Sequence, residues 1–148
     1  MMTGTGGNPL VLVVDDFLDA REMYAQYFEF SGFRVAEASN GVEAVEKAIE
    51  LSPNIILMDL SMPGMDGWEA TRRLKADPRT QSIPIIALSG HALTGFQQSA
   101  QQAGCDAFVT KPCLPEDLVK EITQVLDRRS PGDGAKGRGS RSHVKTLR

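Results

Sequence analysis

The chain has 148 residues, of which 41% are hydrophobic and 24% are charged, with a net charge of -3, and this composition is ordinary for one globular domain. No apolar stretch approaches the roughly 20 residues that a membrane-spanning helix needs, and the N-terminal residues lack the basic and apolar regions of a signal peptide, so we expect a cytoplasmic protein without membrane contact. The two cysteines, Cys105 and Cys113, exclude a disulfide framework or a zinc site with CxxC spacing, and both are expected to be reduced.

Short apolar runs alternate along the chain with stretches of helical periodicity. This alternation predicts an α/β domain in which helices cover both faces of a parallel sheet. Runs such as IILM and PIIAL are apolar throughout, as is typical of strands buried on both faces. The predicted strands are residues 10–15, 33–38, 54–59, 84–88 and 105–110.

A helix is expected after each strand. Capping and breaking residues mark the helix ends, because Gly and Pro end helices while Ser, Asn and Asp begin them. The marked ends are Gly32 after the first helix, Ser39 or Asn40 before the second and Pro53 after it, Asp66 before the third and Asp77-Pro78 after it, Gly104 after the fourth, and Pro115 at the start of the fifth.

Polar residues follow four of the predicted strands. They are Asp15 and Asp16, Asp59, Ser89 and Lys111. Right-handed crossovers bring the carboxyl ends of parallel strands to one edge of the sheet, where ligands bind in open α/β folds. We therefore expect three carboxylates, a hydroxyl and an ammonium group in one cleft.

Each of these residues also has a purely structural interpretation. Asp15 or Asp16 could cap the first helix, and Asp59 or Ser89 could begin a turn. Lys111 could be an ordinary loop residue before a proline. Together, however, three carboxylates provide the hard oxygen ligands that suit Mg²⁺ better than zinc, and a lysine beside them suits a phosphate group.

The segments VLVVDD, LMDLSMPGMDG, ALSG and TKP occur in the order and context that characterise one family. Over about residues 9–128 the sequence closely resembles the receiver domain of two-component response regulators. The resemblance implies a flavodoxin-like, doubly wound sheet of five parallel strands in the order 2-1-3-4-5, with five helices.

The resemblance also implies roles for the polar residues. Asp59 would be the phosphate acceptor, and Asp15, Asp16 and Asp59 would arrange Mg²⁺ together with the backbone carbonyl of Ser61. No other cofactor is implied.

Three further residues complete the site and its conformational switch. By the resemblance, Ser89 would hydrogen-bond the phosphoryl oxygens, and Lys111 would be the site lysine, joined to Pro112 by a cis peptide bond. Phe108 would occupy the switch aromatic position. The alternative for Phe108 is a permanently buried core residue.

The implied function is that of a phosphoacceptor that takes a phosphoryl group from a histidine kinase or a histidine phosphotransfer protein and signals to a downstream effector protein. It would be a signalling protein that catalyses only its own phosphorylation and dephosphorylation, without a DNA-binding domain. One alternative is a receiver fragment of a larger hybrid histidine kinase or multidomain regulator. Another is a small Mg²⁺-dependent aspartyl phosphatase, although the DxD motif of haloacid-dehalogenase-like enzymes is missing.

The two ends of the chain differ from its body. Residues 1–127 carry 9 Lys and Arg against 18 Asp and Glu, a net charge of -9, whereas residues 128–148 carry 7 against 1, a net charge of +6. We expect a flexible N-terminus over residues 1–8, a receiver domain over 9–128 and a disordered basic tail over 129–148. Contact of this tail with nucleic acid is the less favoured alternative to a solvated linker.

Overall fold

The computed structural model describes residues 8–60, 67–90 and 94–128. Residues 1–7 of the expected flexible N-terminus, the expected metal ligand Ser61 and the basic tail lie outside the described residues. The domain boundaries remain predictions.

Five strands form one parallel sheet in the part of the chain that the structure describes, in the predicted order β2-β1-β3-β4-β5. The strands are β1 (Leu10–Val14), β2 (Arg34–Ala38), β3 (Ile55–Asp59), β4 (Ile85–Ser89) and β5 (Ala107–Thr110). Each is paired in parallel with its neighbour. The predicted fold class is confirmed.

All five strands differ from their predicted bounds by one or two residues at one or both ends, and the structure gives a reason for the fourth and fifth. β4 extends through Ser89 because the carbonyl of Ser89 accepts the backbone N–H of Lys111 at 2.7 Å, which continues the ladder with β5. β5 begins at Ala107 because the N–H of Cys105 still donates to Ala100, in the last turn of the preceding helix. Gly104 has a φ of 110° at this helix end, a conformation that favours glycine.

The five predicted helices are also present in the described ranges: α1 (Leu18–Phe30), α2 (Gly41–Leu51), α3 (Gly67–Ala76), α4 (Thr94–Ala103) and α5 (Pro115–Arg128). Asn40 is the N-cap of α2, and its side chain accepts the N–H of Glu43 at 2.8 Å. The Glu43 carboxylate in turn accepts the N–H of Ser39, the residue before the N-cap, at 2.7 Å, and this hydrogen bond lowers the pKa of Glu43. None of the described helices is long and apolar enough to cross a membrane.

The core has two layers, one on each face of the sheet. α1 and α5 cover one face and bury Tyr24, Phe28, Leu118, Ile122 and Val125 against it. α2, α3 and α4 cover the other face, largely through alanines. Because β3 and β4 are buried along their whole length, their polar terminal residues can meet solvent only at the carboxyl edge of the sheet.

Candidate functional site

The strand register brings the predicted polar residues together at the carboxyl edge of the sheet. Asp59, the last residue of β3, is paired with Leu88 of β4, and Ser89 is paired with Thr110 of β5. Asp15 follows β1, which lies on the other side of β3. The described candidates thus end four adjacent strands.

Three carboxylates form the centre of this edge. Asp15, Asp16 and Asp59 each offer one oxygen, and these atoms all lie within 4.8 Å of one another. Asp15 is 2% exposed and Asp59 is 4% exposed, whereas Asp16 is open to solvent. Negative charges held this close repel one another unless a cation lies among them.

Lys111 provides one positive charge opposite the carboxylates. Its Nζ atom lies 3.6 Å from Asp15 Oδ2 and 3.6 Å from Asp59 Oδ2, and its side chain is 30% exposed. The peptide bond between Lys111 and Pro112 is cis, as the family resemblance implied. A single ammonium group leaves a surplus of negative charge among three carboxylates.

The surroundings of Asp15 test whether a cation fits this cluster. Its Oδ1 atom accepts the backbone N–H of Phe17 at 2.9 Å, but its Oδ2 atom is buried and has no hydrogen-bond partner within the described part of the chain. The ammonium of Lys111, at 3.6 Å, is too distant to donate. A buried carboxylate oxygen without a partner is costly. The donor set therefore fits a hard divalent cation.

The helix-capping interpretation of these aspartates does not hold. The N-cap of α1 is Phe17, whose side chain makes no capping hydrogen bond. Asp15 instead binds the N–H of the N-cap residue itself.

Ser89 and Phe108 lie on the same face of the sheet. Phe108 is paired with Ala87, which precedes Ser89 by two residues, and side chains two apart on a strand point the same way. Ser89 is fully buried, while Phe108 is partly buried against the core layer that contains Ala87 and Ala100. Both interpretations of Phe108, the switch aromatic and the permanently buried core residue, stay predictions.

Gly67 contributes to the site and was missed in the sequence. It is the first residue of α3, and a Cβ atom added to it would lie 2.2 Å from the backbone carbonyl oxygen of Asp59 and 2.8 Å from the Cα of Leu60. Only glycine lets α3 approach the end of β3 this closely. Its position at the end of the LMDLSMPGMDG segment, at the predicted start of a helix, was the available signal.

Tyr24 of α1 is a further residue near the site. It is buried, and its pKa is raised to about 12, chiefly by burial and further by the nearby Cys113 thiol and the carboxylates of Asp15 and Asp59. The phenol therefore lies within electrostatic reach of the site and stays protonated. No sequence motif marked this proximity, which depends on how α1 packs.

Comparisons with known proteins identify the family. The model of the response regulator receiver domain family matches residues 11–123. The chain belongs to this family. The resemblance noted in the sequence is thus confirmed, and the receiver domain is a signalling module of two-component systems.

Two curated relatives differ in how much of their length the receiver domain accounts for. The phosphate regulon transcriptional regulatory protein PhoB of Pseudomonas aeruginosa is 38% identical over 123 residues, which are 83% of this chain and 54% of PhoB. The polar-differentiation response regulator DivK of Brucella anthropi is 33% identical over 116 residues, 78% of this chain and 94% of DivK. The chain thus spans about half the length of PhoB and nearly all of DivK.

A solved structure agrees with the fold. The chemotaxis protein CheY4 of Vibrio cholerae superposes with a TM-score of 0.76 at 29% identity, covering 80% of this chain and 98% of CheY4.

Proposed function

We propose that Asp59 is the phosphoacceptor of this receiver domain and that the donor is a phosphohistidine on a histidine kinase or a histidine phosphotransfer protein. The observation that carries the proposal is the placement of a buried Asp59 carboxylate between a lysine ammonium at 3.6 Å and two further carboxylates. This arrangement offers a nucleophile together with positive charge for an incoming phosphoryl group. As a proposed signalling partner of such a kinase, the domain acts in the cytoplasm.

The transfer requires little covalent chemistry from the protein. An Asp59 carboxylate oxygen forms a bond to phosphorus while the bond from phosphorus to the donor imidazole nitrogen breaks, and the electron pair returns to that nitrogen. Lys111 stabilises the charge on the equatorial phosphoryl oxygens as they pass, because its ammonium group already faces Asp59. The product is an acyl phosphate, which later hydrolyses.

Asp15, Asp16 and Asp59 would hold Mg²⁺, and the resemblance adds the backbone carbonyl of Ser61, outside the described residues. Mg²⁺ bound here supplies positive charge that offsets the phosphoryl oxygens. Two observations support this assignment: Asp15 Oδ2 has no hydrogen-bond partner among the described residues, and the donors are hard oxygen atoms.

Phosphorylation would then act through Ser89 and Phe108. The new phosphoryl group adds about -1.5 to -2 charge and three acceptor oxygens beside Asp59. The Ser89 hydroxyl donates to one of these oxygens, and Phe108, one strand away on the same face, turns into the space that Ser89 leaves. The surface of α4 and β5 changes, and a downstream effector protein recognises it.

Two settings remain for this receiver domain. In one it signals alone by binding its effector, and in the other it is one part of a hybrid kinase or multidomain regulator. The two settings are distinguished by whether the reading frame that encodes the chain also encodes an output or kinase domain on either side of it.

The test is incubation with acetyl phosphate and MgCl₂ followed by intact mass measurement. The wild type is expected to gain one phosphoryl group, and Asp59→Asn is expected to gain none, because the amide is not a nucleophile. Asp127→Asn, the same substitution at an exposed position of α5, should label like the wild type. Label on another residue, or labelling unchanged when EDTA removes the metal, would contradict the proposal.

The switch has a separate readout. Beryllofluoride, a phosphoryl mimic, should shift the amide resonances around Ser89 and Phe108 in the wild type. Unchanged resonances there, with the mimic bound, would argue against the switch and leave the phosphoacceptor assignment intact.

A further inference from the structure

Asp15 has four polar groups, and three of them are bound within the protein. Its N–H donates to the carbonyl of Ala38 at 3.1 Å, and its Oδ1 accepts the N–H of Phe17 at 2.9 Å. Its carbonyl accepts a hydrogen bond at 2.8 Å from the Nη1 atom of Arg21. Only the Oδ2 atom, which faces the carboxylate cluster, has no hydrogen-bond partner in the described residues.

Arg21 makes two different contacts with its planar guanidinium group. While Nη1 donates to the carbonyl of Asp15, Nε donates to Glu37 Oε1 at 2.9 Å. The Arg21 side chain is 14% exposed, so most of it is enclosed. Glu37 lies on β2, and its own backbone carbonyl accepts Lys47 from α2. Arg21 thus connects α1 and β2 with the end of β1.

We propose that Arg21 is a positioning residue for metal binding, which sets the orientation of the peptide plane between Asp15 and Asp16. The carbonyl oxygen of Asp15 and the N–H of Asp16 belong to one rigid planar unit, so a bond that fixes the carbonyl also fixes the direction in which Asp16 leaves the plane. Arg21 therefore orients two of the three carboxylates without touching the metal. This inference rests on the proposed function, since it assumes that the cluster binds Mg²⁺.

The geometry suits arginine in particular. Two nitrogen atoms of the planar guanidinium group donate separately to a backbone carbonyl and to a carboxylate. A lysine has a single nitrogen atom and cannot fix two acceptors in one plane in this way. The ion pair with Glu37, whose side chain is 39% exposed, contributes little binding energy by itself. The ion pair instead holds the guanidinium group in an orientation in which Nη1 points at the Asp15 carbonyl.

A positioning role and a simple charge effect predict opposite results. If Arg21 acted only through its positive charge, its removal would tighten Mg²⁺ binding, because a cation near the site repels a divalent ion. If Arg21 positions the acids, its removal weakens Mg²⁺ binding. Loss of partners that orient metal ligands typically weakens metal affinity about 10–100-fold.

The experiment is a titration of the full chain with MgCl₂, followed by amide resonances in two-dimensional NMR spectra, which report folding and binding together. Arg21→Gln is expected to raise the Mg²⁺ dissociation constant about 10-fold, and Arg21→Lys by a smaller factor. Lys75→Gln is the control, because Lys75 also bridges a carboxylate and backbone carbonyls but lies at the opposite edge of the sheet. It should bind Mg²⁺ like the wild type even if it is less stable.

The outcomes separate this inference from the proposed function. If the wild type does not bind Mg²⁺ at millimolar concentration, the proposed function fails. If the wild type binds and Arg21→Gln binds equally or more tightly, the positioning role is overturned. Equal weakening in Lys75→Gln would also overturn it, because the effect would then follow from lost stability. Arg21→Lys keeps the test open if Arg21→Gln does not fold.

Discussion

The two edges of the sheet each carry a lysine beside a carboxylate, but the lysines are used differently. At the amino edge, the Nζ atom of Lys75 lies 2.8 Å from the carbonyl of Ile83 and 3.2 Å from Asp106 Oδ2, which also accepts the N–H of Ile85 at 2.8 Å. At the carboxyl edge, Lys111 lies 3.6 Å from each of two carboxylates, and one of the oxygens it faces has no hydrogen-bond partner in the described residues.

This difference separates a lysine that stabilises the fold from one that serves a ligand. Lys75 and Asp106 satisfy each other and the backbone groups that begin β4, so the cluster gains nothing by binding another ion. Near Lys111, the Asp15 Oδ2 atom has no hydrogen-bond partner in the described residues and the three carboxylates carry surplus negative charge, and a cation would relieve both. The surplus negative charge and the Asp15 Oδ2 atom therefore distinguish the carboxyl edge as the one that binds a ligand.

The largest expected effect comes from removing each lysine in turn. Lys111→Met should slow phosphorylation of Asp59 by acetyl phosphate about 10²–10³-fold, the usual cost of deleting one group that stabilises a charged transition state. Lys75→Met should leave that rate almost unchanged but lower the free energy of unfolding by about 2 kcal/mol, because it removes the charged donor from the partly buried Ile83 carbonyl and from Asp106. Rates follow from intact mass over time, and stabilities from urea unfolding.

Magnesium provides the control for this pair. Any stability that Lys111→Met loses should return when MgCl₂ is added. The cation then offsets the repulsion between Asp15 and Asp59 that Lys111 offsets in the wild type. The loss in Lys75→Met should not return. If both variants slowed phosphorylation by the same factor and their stabilities responded alike to MgCl₂, the distinction between the two edges would be wrong.

A smaller effect is expected from packing beside the acceptor. Gly67→Ala places a Cβ atom 2.2 Å from the Asp59 carbonyl oxygen, so α3 must move away from β3. We expect a loss of about 1–3 kcal/mol in unfolding free energy, as for overpacking elsewhere, together with slower phosphorylation. Urea unfolding and mass measurement report the two effects.

Gly90→Ala is the matched variant for this test. It follows Ser89, and a Cβ atom added there meets nothing within 4 Å. Its stability should stay close to that of the wild type. A Gly67→Ala variant as stable and as readily labelled as Gly90→Ala would show that the approach of α3 to Asp59 is not required.

The sequence was sufficient for the fold because its signals were local. The apolar run before Asp59 and the cap at Asn40 each depend on a few neighbouring residues, and each predicted a strand or helix that the structure contains. The gathering of Asp15, Asp59 and Lys111 followed from one topological rule about parallel strands.

The contacts that shape the site were not predictable in the same way. Gly67 is required because two elements approach closely in space, and the hydrogen bond from Arg21 to the Asp15 carbonyl depends on the rotamer of a helical side chain. Residue spacing and composition do not show which atoms these two residues contact. The start of β5 was misplaced for a related reason, because Cys105 still belongs to the cap of α4.

A last effect, seen only at alkaline pH, concerns Tyr24. In the folded protein the pKa of Tyr24 is raised to about 12, against about 10 for an unperturbed tyrosine, so the folded state holds this proton more tightly than the unfolded state does. The stabilising contribution is complete below pH 10 and is lost as the pH rises from about 10 to about 12. Tyr24→Phe has no such proton and should lose less stability over that interval, as measured by urea unfolding at each pH.

The charges at the carboxyl edge also affect the titration of Tyr24. Burial is the first cause of the raised pKa of Tyr24, but the negative charges of Asp15 and Asp59 also contribute. Asp59→Asn should therefore lower the pH at which the phenolate absorbance of Tyr24 appears, while Asp127→Asn, at the far end of α5, should leave it in place. Because Tyr27 also absorbs, the signal of Tyr24 is isolated by subtracting the titration of Tyr24→Phe. Identical titrations in the two aspartate variants would mean that the phenol is governed by burial alone and does not report the charge of the site.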